Sequence, residues 1–438
     1  MRFSFGNSLT RLSLALLGAL LLVTAAGRAM TSIGLSATCG AWLFCIPKAT
    51  SGWLQIGHMF LAAVAALLVI WVLLKAWREQ RDDKLIVPLA TVLAILYFGQ
   101  VFVGAIQVVR GYPKHLVILH ALTAIAVWIA LFALVVAAAL LARDGKEFAR
   151  IPAGRRARDL LMLGKPLIVV LLLITTFGGL VVGGRAWPAP GLALWTMLGG
   201  ALAAGGSSAL NQYIDRDLDK KMQRTENRPL ASGRMLPAEG LAYGLALCLI
   251  SYYILAGFVN LTAALLSLAG ILYYVVAYSL VLKSATTQNI VIGGGAGAIP
   301  PMVGWAAATG HLNLAAWILF LIVFMWTPPH FWALAIVRAK DYARAGIPML
   351  PVVKGEKATR AQIMLYTVLL VATTLLLPLV HVTGRVYFVS AAVLGLLLLV
   401  AAWRVWKTPG NKVAWIMYRW SSMYLLLIFV ALMVDAIV

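Results

Sequence analysis

The 438-residue chain is 63% hydrophobic, only 11% charged, and carries a formal net charge of +22. A composition this apolar excludes a soluble globular protein. Uniformly apolar runs of about 20 residues exclude an outer-membrane barrel, whose strands alternate. Backbone groups cannot stay unpaired in lipid, so the fold class expected is an all-α polytopic membrane protein.

Thirteen spans are predicted, at 9–27, 53–74, 85–109, 115–142, 166–184, 191–214, 239–259, 261–281, 288–309, 312–335, 363–383, 386–406 and 413–437. With the N-terminus cytoplasmic, most Lys and Arg residues fall in cytoplasmic loops and the C-terminus lies on the outer face. Orientation and attraction to anionic membrane lipids account for the basicity, so no nucleic-acid partner is expected. A cleavable leader is the alternative for the first run, disfavoured because the run is long and its loss would invert the unit that follows. The stretch 143–165 is basic and broken by Pro and Gly. It reads as a cytoplasmic linker between a four-helix unit at 1–142 and a nine-helix unit at 166–438.

In the first unit, His58 and His120 fall on the second and fourth spans, each near the predicted outer face. Two such imidazoles can be the axial ligands of one heme, the alternative being interhelical hydrogen bonds. His115 lies nearer the interface and reads as solvated. Cys39 and Cys45 share the first outer loop, where an oxidising face favours a disulfide, while Cys248 reads as a packing residue.

The sixth span ends in Asn211-Gln-Tyr-Ile-Asp215-Arg-Asp217-Leu-Asp219-Lys220-Lys221-Met-Gln-Arg224-Thr-Glu-Asn-Arg228-Pro229. Asn211, Asp215 and Asp219 stand at i, i+4 and i+8, which puts their oxygens on one helix face as it leaves the membrane. Hard oxygen donors at this spacing suit Mg²⁺, whose shell substrate phosphates normally complete. Lys220, Arg224 and Arg228 are the cations expected to contact those phosphates. Lys283, near Tyr278 at the end of the eighth span, is expected to lean toward the same diphosphate, with snorkelling as the alternative.

The tenth span opens a second such segment, Trp326-Thr-Pro328-Pro329-His330-Phe-Trp332, followed by Arg338, Lys340, Asp341 and Arg344. Asp341 is a further candidate Mg²⁺ ligand, and Arg338 and Lys340 candidate diphosphate contacts. The paired prolines are expected to break or kink the helix, and His330 beside them is expected to serve an acceptor site as general base or ligand. Between these segments, Gly293 to Trp305 lies inside an apolar helix with no strand before it. It reads as a close-packing surface, and as the wall of a groove for a flat ligand, rather than a phosphate loop.

On these residues the chain resembles the UbiA-type intramembrane prenyltransferases, and within them the heme O synthase (protoheme IX farnesyltransferase) family, over about 165–438. Asn211 to Leu230, Lys283 to Gly310 with Pro300-Pro301, and Trp326 to Gly355 carry the resemblance. It implies nine helices around a cavity open to the membrane, farnesyl diphosphate as donor and protoheme as acceptor. The vinyl group would attack a farnesyl carbocation and water would capture the product cation. The second segment has Asp341 alone, as the heme-farnesylating branch does, where many other prenyltransferases carry two Asp residues. Residues 9–142 resemble one half of heme A synthase, with Gln55 where the oxidising half carries Glu. The fusion implies a heme-binding first unit, a prokaryotic cytoplasmic (inner) membrane, and heme A synthase or terminal-oxidase assembly factors as partners. The rival readings are a prenyltransferase of quinone-ring precursors, a transporter, and a non-catalytic heme carrier.

Overall fold

The computed structural model describes residues 6–32, 50–143, 148 and 152–438. Every regular element among them is helical. Twelve helices are long and apolar enough to cross a bilayer. A further long helix, Pro190–Asp219, is diluted by Gly, Ala and Ser and ends in carboxylates. The protein is thus a multi-pass, all-α membrane protein. Cys39 and Cys45 lie outside the described residues.

In chain order the helices are α1 (Ser8–Ser32), α2 (Thr50–Glu79), α3 (Ile86–Val109), α4 (Lys114–Leu141), α5 (Ala153–Gly164), α6 (Pro166–Gly184), α7 (Pro190–Asp219), α8 (Pro237–Phe258) and α9 (Leu261–Ala285). They continue as α10 (Asn289–Thr309), α11 (Leu314–Val337), α12 (Ala339–Arg344), α13 (Leu350–Val353), α14 (Gly355–Leu379), α15 (Arg385–Lys407) and α16 (Asn411–Ile437). Part of the basic stretch expected as a linker is therefore the amphipathic helix α5. Asp159 and Leu163 on one side are buried, while Arg155 and Arg158 are exposed.

Two compact units divide the chain: Met1–Arg155 with Leu236–Leu249, and Arg156–Met235 with Ile250–Val438. In the first, Leu9, Leu16, Val69, Val72, Leu93, Leu131 and Leu134 build one core from α1 to α4. The Tyr97 hydroxyl donates to the Ala62 carbonyl at 2.6 Å, pairing a phenol that burial would otherwise penalise. Arg81, in the α2–α3 connection, pairs with buried Glu239, whose second oxygen accepts from the Leu236 N–H at 3.1 Å.

In the second unit α10 is a central helix because glycine lets it approach others backbone to backbone. A Cβ on Gly304 would stand 1.8 Å from the Thr176 carbonyl of α6, and one on Gly179 of α6 would stand 2.1 Å from the Pro301 carbonyl. Such contacts are the chief adhesive between helices in lipid, where no hydrophobic force distinguishes neighbour from solvent. The helix α11 continues through Pro328 and Pro329 without a break. The missing N–H donors leave two carbonyls one turn earlier without intrahelical partners, yet this turn is clamped to α16. The Trp326 indole N–H donates to the Ser421 carbonyl at 2.6 Å.

Candidate active site

Asn211, Asp215 and Asp219 end α7 on one face, and they are 3%, 1% and 3% exposed. Carboxylates this deep need partners. The Asn211 amide donates to Asp215 Oδ2 at 2.7 Å and to Ser279 Oγ at 3.1 Å. Lys283 pairs with the same Asp215 oxygen. Arg228 reaches back from the following loop to both Asp219 oxygens at 2.8 and 2.9 Å, and the Thr225 hydroxyl caps the Asp219 carbonyl at 3.0 Å. The loop after α7 therefore folds over the acidic face. Asp215 Oδ1 is buried without a hydrogen-bond partner, so the cluster holds one carboxylate oxygen ready for a cation.

Sequence reasoning missed Lys165. It is the residue before α6, with a left-handed backbone (φ 50°), and its ammonium donates to Asn211 Oδ1 at 2.8 Å. Its stem stays partly exposed, while the charged end is enclosed near Arg228, Asp215, Asp219 and Lys283. Burial, reinforced by Arg228, lowers its pKa to about 7 against the pull of the two aspartates. Its one signal in the sequence was a lysine placed directly before a proline at the mouth of an apolar helix.

A second unanticipated feature is that the C-terminal part of α9, Tyr273–Leu282, is a π-helix. Ser279 donates to the Tyr274 carbonyl five residues back at 2.9 Å, and the widened turn delivers Ser279 and Lys283 to the acidic face. Tyr274 and Tyr278 stack at 5.6 Å, with Tyr278 seated on Gly293, whose Cβ position its ring already fills. The Gly293 to Trp305 surface is thus packed against at this end.

The second segment contributes Asp341, which is buried, with Arg338 Nη1 at 3.9 Å. The hydroxyl of its neighbour Tyr342 lies within electrostatic reach of Arg224 of the first loop and of Asp341 and Arg338 of the second. Burial raises that hydroxyl's pKa, and Arg224 opposes the rise. Two expected phosphate contacts are not brought to the cluster. Lys220 begins the turn after α7, is exposed and pairs with Asp217 at 3.0 Å; Lys340 is exposed on α12. A helix end turns by 100° per residue, so the residue directly after Asp219 leaves its face.

His330 is buried on α11 between Trp326 and Tyr418, with ring centroids 4.2 and 4.5 Å away. In the first unit, His58 lies against Gly27 of α1, where a Cβ would stand 3.2 Å from its Cε1, and its Nδ1 donates to the Val23 carbonyl at 3.0 Å. His120 lies against Gly104 of α3, with 3.0 Å to a Cβ there. Gln55 is buried one turn before His58.

Residues 172–428 match the model of the UbiA prenyltransferase family. A protoheme IX farnesyltransferase of Roseiflexus sp. (strain RS-1) is 42% identical over 448 residues, covering 98% of this chain and 84% of that protein. The chain belongs to the UbiA prenyltransferase family, in its protoheme IX farnesyltransferase branch. A second member, from Gloeobacter violaceus, is 50% identical over 299 residues, with 68% of this chain covering 97% of that protein. Among solved UbiA-type structures, a digeranylgeranylglyceryl phosphate synthase (18% identical, TM-score 0.56, covering 65% of this chain and 99% of that one) shares the fold. So does a UbiA homolog from Aeropyrum pernix K1 (20%, TM-score 0.52, covering 61% and 97%). These two likenesses concern the fold alone.

Proposed function

We propose that the protein transfers a farnesyl group from farnesyl diphosphate to a vinyl group of protoheme IX, with addition of water, giving heme O and diphosphate. The observation that carries the chemistry is the buried face of Asn211, Asp215 and Asp219, ringed by cations and retaining one carboxylate oxygen without a partner. Protoheme as acceptor rests on the likeness to the farnesyltransferases of Roseiflexus and Gloeobacter.

Among the described residues no three His, Cys, Asp or Glu side chains converge. That suits Mg²⁺, which uses few protein carboxylates and completes its shell with phosphate oxygens and water. Asp215 and Asp219, with Asn211, are the residues that would hold it, and Asp341 of the second segment would serve a further ion. When bound, the ion supplies charge neutralisation for the departing diphosphate.

The chain's own cations do the rest. Lys283 and Arg228, paired with Asp215 and Asp219, and Lys165, bonded to Asn211, can exchange these partners for phosphate oxygens, with Arg224 and Arg338 as further candidates, stabilising the negative charge that grows as the allylic C–O bond breaks. Tyr274 and Tyr278, beside Asp215, present aromatic faces to the cationic farnesyl carbon and exclude water from it.

The first unit is proposed to bind heme through His58 and His120, and Gln55 in place of a carboxylate argues against oxidation there. The membrane is proposed to be the prokaryotic cytoplasmic membrane, with both acidic segments cytoplasmic and the C-terminus outside, following the charge distribution. Supply to heme A synthase or oxidase assembly factors belongs to the same proposal. The test is product mass: purified protein with farnesyl diphosphate and Mg²⁺ is given protoheme in one reaction and a hydroxybenzoate in another. Farnesylated, hydrated porphyrin is expected only in the first, and a prenylated benzoate would replace this reading with the quinone-precursor one.

A further inference from the structure

His330 sits in a polar arrangement that fixes its proton. Its Nδ1 lies 2.8 Å from Ser421 Oγ, and Ser421 Oγ lies 2.8 Å from the Tyr418 carbonyl. A carbonyl only accepts, and a serine hydroxyl has one proton to give. Both contacts are hydrogen bonds together only if the Ser421 proton goes to Tyr418 and Nδ1–H donates to Ser421. The proton on Nδ1 leaves Nε2 as a bare lone pair. Trp326 and Tyr418 stack on the two faces of the ring, within 20° and 28° of parallel, and hold its plane. Trp326 is itself fixed by its indole bond to the Ser421 carbonyl, so one residue of α16 holds both the rotamer and the tautomer.

An imidazole that gives Nδ1–H to a fixed acceptor and keeps Nε2 free is arranged as metal-ligating histidines are, the second hydrogen bond setting ring orientation and raising donor strength. The acceptor substrate carries an iron whose common protein ligand is imidazole. We propose that His330 Nε2 ligates the iron of the protoheme substrate in the second unit, and that Ser421 is the positioning residue that holds His330 in the ligating tautomer. The proposal rests on protoheme being the acceptor. It assigns the imidazole to substrate anchoring rather than to proton transfer, since a stacked, immobile ring suits a ligand and the proton on Nδ1 is committed to Ser421.

The test compares two porphyrins on the full-length protein, all forms carrying His58→Ala and His120→Ala so that only the second unit is read. Ferric protoheme and metal-free protoporphyrin IX are titrated by absorbance and fluorescence quenching, with resonance Raman spectra of the heme complex. Ser421→Ala is expected to weaken protoheme by about 10- to 100-fold, the usual cost of losing a partner of a ligating histidine. His330→Ala is expected to weaken it further and abolish the imidazole signature, which added imidazole restores. Ser421→Thr, which keeps the hydroxyl, should bind as its parent does, and metal-free porphyrin should bind all forms alike. Equal weakening of both porphyrins by His330→Ala and by His330→Gln would mean packing and would overturn the proposal, as would unchanged protoheme spectra. If the parent binds neither porphyrin while prenylating a benzoate, the acceptor reading falls and this proposal with it. If the parent makes heme O and His330→Ala binds both porphyrins normally, only this proposal falls.

Discussion

The two units solve the same problem, polar groups in a lipid-facing bundle, in opposite ways. The second gathers its charged groups at helix ends: three residues of α7, the π-turn of α9 and the residue before α6 share one network of charge and hydrogen bonds. The first keeps its candidate ligands inside the bundle and makes room for them by removing side chains, His58 against Gly27 and His120 against Gly104. A charged network holds itself together and resists single losses badly, whereas a histidine seated on glycine depends on local space alone. The relatives echo the difference. The Gloeobacter violaceus protein is covered over 97% of its length by 68% of this chain, whereas the likeness to the Roseiflexus protein extends over 98% of this chain.

The contrast can be broken most forcefully at the helix contact of the second unit. Gly304→Leu should drive α6 and α10 apart, costing about 3 kcal/mol or more, the upper end for overpacking, and detergent-solubilised protein should unfold at a markedly lower temperature. An unchanged midpoint would mean that the close packing at Gly304 is not what holds these helices. Less drastic is Lys283→Met, which strands a buried carboxylate. Turnover should fall by roughly 100- to 1,000-fold, since the loss of a charge-stabilising donor typically costs about 3–4 kcal/mol, and restoration by Lys283→Arg would mark the role as one of charge. In the first unit, Gly104→Leu should displace His120 and shift the spectrum of any heme held there, while heme O formation stays within a few-fold of wild type. If turnover collapsed as well, the two units would not be separable as described.

The smallest effect concerns pH. The Lys165 pKa, about 7 in the folded protein against 10.5 in an exposed chain, means that the unfolded state binds the extra proton between those values. Stability should therefore rise with pH across that window in EDTA-treated protein, and Lys165→Met should flatten the rise. A steeper rise in the variant would contradict the enclosure of that ammonium.

Much of this was legible because charge is scarce in such a chain. Spans were placed to within a few residues at most ends, and the spacing of Asn211, Asp215 and Asp219 announced a shared face, since a helix end exposes i, i+4 and i+8 together. The start of α14 at Gly355, well before the apolar run, was hidden by the basic residues of its first turns. The π-turn at Tyr273–Leu282 could not be read, because an extra residue in a turn leaves no mark in hydropathy. Lys165 and Ser421 were overlooked for a related reason. Their importance comes from partners distant in sequence, Asn211 and His330, and a lone lysine or serine beside an apolar run carries no sign of what tertiary packing brings to it. Lys220 was misjudged in the opposite direction, by proximity in sequence to a face it does not share.

The most direct test of the central claim compares two neighbouring carboxylates of α7, Asp215, which is buried in the network, and Asp217, which is 69% exposed beside Lys220. Heme O formation from protoheme, farnesyl diphosphate and Mg²⁺ should fall by at least about 100-fold in Asp215→Asn, the scale of losing one electrostatic stabiliser, and stay within a few-fold of wild type in Asp217→Asn. Comparable activity in the two variants, or a loss confined to Asp217→Asn, would contradict the assignment of the buried face of α7 as the diphosphate site.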